Sequence, residues 1–212
     1  MKVVTTHGPF VLVAGAFLLG VCGCMSDPTA ELRYGRVISN RTIADDMEIV
    51  VKPFRDLRPN PRIGMHINLF DNVRYSINSV NDVGTYVSEA MVKEFTARGY
   101  KARMAAPGEE VDESGKLIVT GDVLKMETVQ PGGLTLEGNT RLAVRVVKDG
   151  TTVFEKRFAG SVQDAVEEWA ANADMFASVC EESLRNLMMN LLPGLDHQIQ
   201  LALGRAVGVL EE

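Results

Sequence analysis

Apolar residues along this chain recur with several periods, and each period predicts an element. Phe10 to Val21 is an unbroken run of apolar residues and glycine. From Met47 to Phe54 the pattern alternates, with Met47, Ile49 and Val51 on one side and Glu48 and Lys52 on the other, which predicts a strand. Asp56 to Pro61 contains two prolines that remove backbone donors, the chemistry of turns. Ile67 and Leu69, then Val73, Tyr75 and Ile77, alternate on either side of Asp71-Asn72, which predicts a small hairpin around an Asx turn. Over Asp82 to Arg98 the period lengthens to that of a helix. Val83, Val87, Ala90, Met91, Glu94 and Phe95 share one stripe, apolar but for Glu94. Asn81 or Asp82 caps its start, and Gly99 stops it. Tyr100, Ala102 and Met104 predict a short strand.

Leu117 to Thr128 is apolar on both faces, as a central strand should be. Pro131-Gly132-Gly133 breaks it. Thr140 to Lys148 and Thr151 to Val162 flank Asp149-Gly150, a hairpin signal. A two-residue loop would set Val144 opposite Glu155. A three-residue loop sets Val146 opposite Phe154 and Leu142 opposite Phe158, keeping one face apolar, so a three-residue loop with left-handed Gly150 is expected. From Asp174 to Leu192, Phe176, Val179, Cys180, Ser183, Leu184, Leu187, Met188 and Leu191 fall at helical spacing. Pro193-Gly194 should end that helix, and Leu195 to Leu210 should form a second one. Together these periods predict an α+β fold. Helices pack on one face of a mainly antiparallel sheet, in the order strand, hairpin, helix, four strands, two helices.

The opening run reads as an address. Its 12 residues would span about 18 Å as a helix, against roughly 30 Å of hydrocarbon in a bilayer. Behind Met1-Lys2 it reads as a secretory signal peptide. It ends in Val21-Cys22-Gly23-Cys24, which resembles the lipobox of bacterial lipoproteins, where a small residue precedes the acylated cysteine. Gly23 makes Cys24 fit; the β-branched Val21 makes Cys22 a poor fit. The resemblance implies cleavage before Cys24 and lipid chains on its thiol and amine, enough to anchor a protein firmly. Met25 rather than Asp follows, which implies the outer membrane, with retention at the inner membrane as the other destination. A plain cleaved signal peptide is the alternative. Residues 25–46 lack a sustained period and contain Pro, Ser, Asn and Asp, as a tether does, so the single domain is expected to occupy residues 47–212.

Removing residues 1–23 leaves 189 of the 212 residues and, with Lys2 gone, moves the formal charge from −6 to −7. An acidic chain with pI near 5.2 argues against nucleic acid as partner. Cys24 is acylated and Cys22 removed, so Cys180 alone remains and can form no intrachain disulfide. Its place in an apolar helical stripe predicts a buried, inert thiol. His66 and His197 lack Cys, His or carboxylate neighbours at ligand spacing and read as exposed loop residues, so no metal and no cofactor are expected. The sequence holds no GxSxG, GxGxxG or phosphate loop. No catalytic residues are assigned. Arg55, Asp56, Arg58 and Arg62 cluster between prolines and are the candidate partner-binding loop, able to meet an anionic group. Charged decoration of a loop is the plainer explanation.

The lipobox, the Asp56-Leu57-Arg58 loop after a strand, and a helix ending in Met91-Val92-Lys93-Glu94-Phe95-Thr96-Ala97-Arg98-Gly99-Tyr100 together resemble the YajG-type lipoproteins, over roughly residues 47–200. The likeness extends more loosely to curli-secretion and penicillin-binding-protein-activator lipoproteins. It implies a periplasmic α+β domain tethered to the outer membrane, and carries over no catalytic residues. The expectation is a non-enzymatic envelope lipoprotein that binds or assembles with an envelope protein. It would act through a sheet face, a sheet edge or the loops 55–66 and 128–139. The alternative is an auxiliary lipoprotein of lipid or lipopolysaccharide transport, which needs an apolar groove between helix and sheet.

Overall fold

The computed structural model describes residues 27–35, 37–38, 47–68, 70–166 and 171–204. Among them, nine strands and two helices follow in order: β1 (Thr29–Ala30), β2 (Glu48–Val51), β3 (Arg55–Asp56), β4 (Arg62–Ile67), β5 (Val73–Ser79), α1 (Val83–Ala97), β6 (Lys101–Met104), β7 (Leu117–Pro131), β8 (Thr135–Lys148), β9 (Thr151–Ala165) and α2 (Ala173–Ala202). The strands make one open sheet. β7 is its hub. It pairs in parallel with β2, β3 and β4 and antiparallel with β8. β8 and β9 form a long antiparallel ladder, and β4 and β5 a short one on the other side. The sheet is therefore mixed, with the antiparallel ladders longest.

Both helices lie on one face. Val87, Met91 and Phe95 of α1 and Phe176, Leu184, Leu187 and Leu191 of α2 join Val119, Val123, Leu142 and Val146 of the sheet in one core. α2 packs close enough to the strands to need glycine beneath it: a Cβ on Gly160 would stand 2.2 Å from the Ser183 carbonyl oxygen. A smaller cluster on the opposite face joins Val50, Ala105 and Ile118. β7 is thus covered on both faces where it pairs with β2, as its double apolar pattern implied. Further along, that opposite face is polar, carrying Asp122, Arg141, Arg145, Glu155 and Arg157.

Several expectations require correction. Pro193 does not end a helix; α2 runs through it to Ala202. A proline in a helix interior costs about 3 kcal/mol. Leu195 and Ile199 beyond it are fully buried, each worth about 1.5–3 kcal/mol, and Asp196 pairs with Arg98 of α1. The ring itself points to solvent. Residues 205–210 of the expected second helix lie outside the described residues.

The β8–β9 register is the apolar one, Val146 opposite Phe154 and Leu142 opposite Phe158. The loop, however, has two residues: Lys148 faces Thr151, and Asp149 and Gly150 have φ of 48° and 75°. The register shift comes from an irregularity between Val146 and Val147 that leaves Val153 unpaired. In the β4–β5 hairpin the expected Asx turn is made by Asn68, whose Oδ1 accepts from the N–H groups of Phe70 and Asn72.

The expected tether is in part a strap. Ala30, Leu32 and Tyr34 are buried against the domain, and β1 joins the sheet beside β5. Two-residue alternation in Thr29-Ala30-Glu31-Leu32-Arg33-Tyr34 drives it, apolar side chains inward and charges out. Glu94, the odd residue in α1's stripe, accepts from the Tyr34 hydroxyl at 2.6 Å and from the Ile38 N–H at 3.0 Å. Asp82 caps α1, and Gly99 takes φ of 92° at its end.

Candidate functional site

Cys24 lies outside the described residues. The candidate loop lies within them, and most of its charge is turned on the protein itself. Arg55 grips Asp122 of β7 with Nε and Nη2, at 2.6 and 3.0 Å. Arg58 is held by both oxygens of Asp56, at 2.9 and 2.8 Å. Its guanidinium also donates to the carbonyls of Met126, Pro61 and Arg62. With its side chain 4% exposed, Arg58 fastens the loop to β7 beside the register shift between Val123 and Lys125. Burial acts to raise the Asp56 carboxyl, but hydrogen bonds from Arg58 side chain and backbone outweigh it and leave the group below the usual carboxylate range. Arg62 opens β4.

A shallow cavity of about 560 Å³ adjoins this loop, lined among others by Arg58, Asn60, Lys125, Arg141 and Arg157. Lys125 is paired with Glu127 at 2.8 Å; Arg141 and Arg157 bring two further guanidinium groups to its wall. A second depression, of about 400 Å³, is lined by Arg55, Asp122, Arg145 and Glu155, whose charges match as two ion pairs. This face carries paired charges of both signs.

His66 is a buried strand residue rather than an exposed loop residue. Its Nδ1 lies 2.7 Å from Gln130 Oε1, and its ring stacks on Tyr75 at 5.1 Å. His197 is exposed on α2. Burial pushes the Cys180 thiol up to about 12. Among the described residues, no three of His, Cys, Asp and Glu meet in an arrangement that could hold a metal ion. No helix among them is long and apolar enough to cross a membrane.

The motif at the end of α1 also has a structural account. Phe95 and Tyr100 pack edge to face at 5.9 Å, and Arg98 between them is buried against Asp196. Sequence reasoning missed the arginines of the sheet face, Arg141 and Arg157. The signal was present: both stand at alternate positions to apolar neighbours in strands.

No protein-family model and no curated protein sequence matches the chain. Solved structures match it in fold. A Xanthomonas campestris protein of the DUF330 family aligns with a TM-score of 0.57 at 11% identity, covering 83% of this chain and 99% of that one. An uncharacterised protein aligns with a TM-score of 0.50 at 7% identity, covering 80% and 99%. The lipoprotein GNA1162 from Neisseria meningitidis aligns at 0.34 and 14% identity over 72% and 97%, too slight a likeness to argue from. The first two show a shared fold and say nothing about activity.

Proposed function

We propose that this chain is a bacterial envelope lipoprotein, anchored by lipidated Cys24 to the periplasmic face of the outer membrane, whose domain binds an envelope protein rather than catalysing a reaction. The observation that carries the reading is Gly23-Cys24 at the close of a short apolar run, three residues before Asp27, where the described strap begins. The resemblance of Met91–Tyr100 to the YajG-type lipoproteins supports the same reading. The binding surface is the sheet face away from the helices, where Arg55, Arg141 and Arg157 stand around a loop that Asp56 and Arg58 hold in place and Arg62 closes. An auxiliary role in lipid or lipopolysaccharide transport would need an apolar groove between helices and sheet. That space is filled: Leu142, Phe176, Leu184 and Leu187 have no exposed surface.

Cys24→Ala tests the anchor in bacterial cells. The wild type should take up radiolabelled palmitate and sediment with outer membranes. The variant should take up none and appear in the soluble periplasmic fraction. A variant still membrane-bound would overturn the reading. Crosslinking of the anchored protein should then capture an envelope protein through the Arg141–Arg157 face.

A further inference from the structure

β1 pairs with β5 in parallel, Thr29 opposite Asn78 and Ala30 opposite Ser79. Tracing the chain back from Thr29 therefore leads toward the start of β5, and Asp27 accepts a hydrogen bond from the Ser76 hydroxyl at 2.9 Å. Cys24 is three residues upstream of Asp27, a reach of about 10 Å of extended chain. Three residues also separate Ser76 from Val73, where β5 leaves the turn that joins it to β4. Three residues of extended chain are long enough to bring a lipid on Cys24 level with that turn.

The same end of the molecule is apolar at its tips. Phe70 in the β4–β5 turn is 83% exposed, Val73 47% and Leu134 48%. β4 runs parallel to β7, with Ile67 opposite Pro131. The β4–β5 and β7–β8 turns therefore project side by side. Phe70 and Leu134 line one cavity of about 210 Å³ there, together with Arg74 and Gly133. A nearly naked phenyl ring at a loop tip, beside half-exposed aliphatic side chains and a guanidinium, is the amphipathic arrangement that suits a membrane interface. The β8–β9 turn at the opposite end of the sheet is Asp149-Gly150, with no apolar tip.

We propose that Phe70, Val73 and Leu134 insert into the phospholipid surface that holds Cys24, with Arg74 meeting headgroup phosphates. The domain then stands end-on, with the β4–β5 and β7–β8 turns against the membrane and the β8–β9 turn facing away. This orientation rests on the anchored reading above.

The experiment uses full-length lipidated protein in vesicles of phosphatidylethanolamine and phosphatidylglycerol. Trp169→Phe removes the sole tryptophan and supplies the blank. On that background, Phe70→Trp or Thr151→Trp places one indole at either end. Flotation reports the anchor, and quenching by doxyl-labelled lipid reports contact. The Phe70→Trp emission should move to the blue and lose most of its intensity to shallow doxyl groups, while the Thr151→Trp emission stays unchanged. Equal, weak quenching at both ends in protein that floats would overturn the orientation and leave the anchor standing. Protein that fails to float would overturn both.

Discussion

Cys180 shows how little of a residue's chemistry is fixed by its identity. Its sulfur donates to the Ile63 carbonyl at 3.3 Å and lies 3.2 Å from the Thr128 hydroxyl, beneath α2. Burial raises the thiol from 9.0 to about 12. Between those values the unfolded chain gives up a proton that the folded chain keeps, so folding stability falls as pH rises from about 9. Tyr34 and Tyr86, whose phenols burial also raises, add to the fall above 10. The urea midpoint of the wild type should therefore decline between about pH 8.5 and 9.5, and that of Cys180→Ala should decline less. Parallel declines would assign the loss to another group. The buried thiol was legible in the sequence from its helical spacing alone. The role of Glu94 was not. A carboxylate in an apolar stripe signals a buried partner, yet that partner, Tyr34, lies 60 residues away, and local period carries no such information. Arg58 was legible as a charged loop residue, but its inward direction was not, because three of its acceptors are carbonyl groups, which every residue has.

Elements were most legible where one local pattern decided them. α1 follows its stripe and caps, and β7 its double apolar face. Where local and distant forces disagree, the distant ones prevail. The two-residue turn at Asp149-Gly150 obeys local turn chemistry, and the apolar register is kept by a bulge at Val153. At Pro193 the local signal to stop is overridden by the buried stripe beyond it. Replacing Pro193 with alanine should restore the missing N–H donor to the helix without touching the core. Stability should rise by about 1–3 kcal/mol, seen as a higher denaturation midpoint. A drop would mean that the proline sets a bend on which the packing of Leu195 and Ile199 depends. β3 and the parallel partners of β7 were beyond reach: a two-residue strand has no period, and parallel pairing joins segments distant in sequence.

At the scale of the molecule, the α+β class and the single helical face were legible, because the stripes of both helices demand one common floor. The strap was not, since six alternating residues in a stretch with no sustained period look like linker. Its attachment can be tested. Glu94→Leu suits the apolar stripe of α1 but leaves the Tyr34 hydroxyl and the Ile38 N–H without their acceptor, at a cost of about 1–3 kcal/mol. Trypsin should then cut after Arg33 faster than in the wild type while α1 and the sheet stay intact. An unchanged cutting rate would show that Glu94 does not hold the strap. The parallel pairing of β1 with β5 has a mechanical meaning as well. A pull from Cys24 along the strands loads the bonds from Asn78 N–H to Pro28, Val80 N–H to Ala30, Leu32 N–H to Asn81 and Ser76 to Asp27 all at once. Tugged that way, the strap resists in shear, whereas a sideways force would peel it open bond by bond.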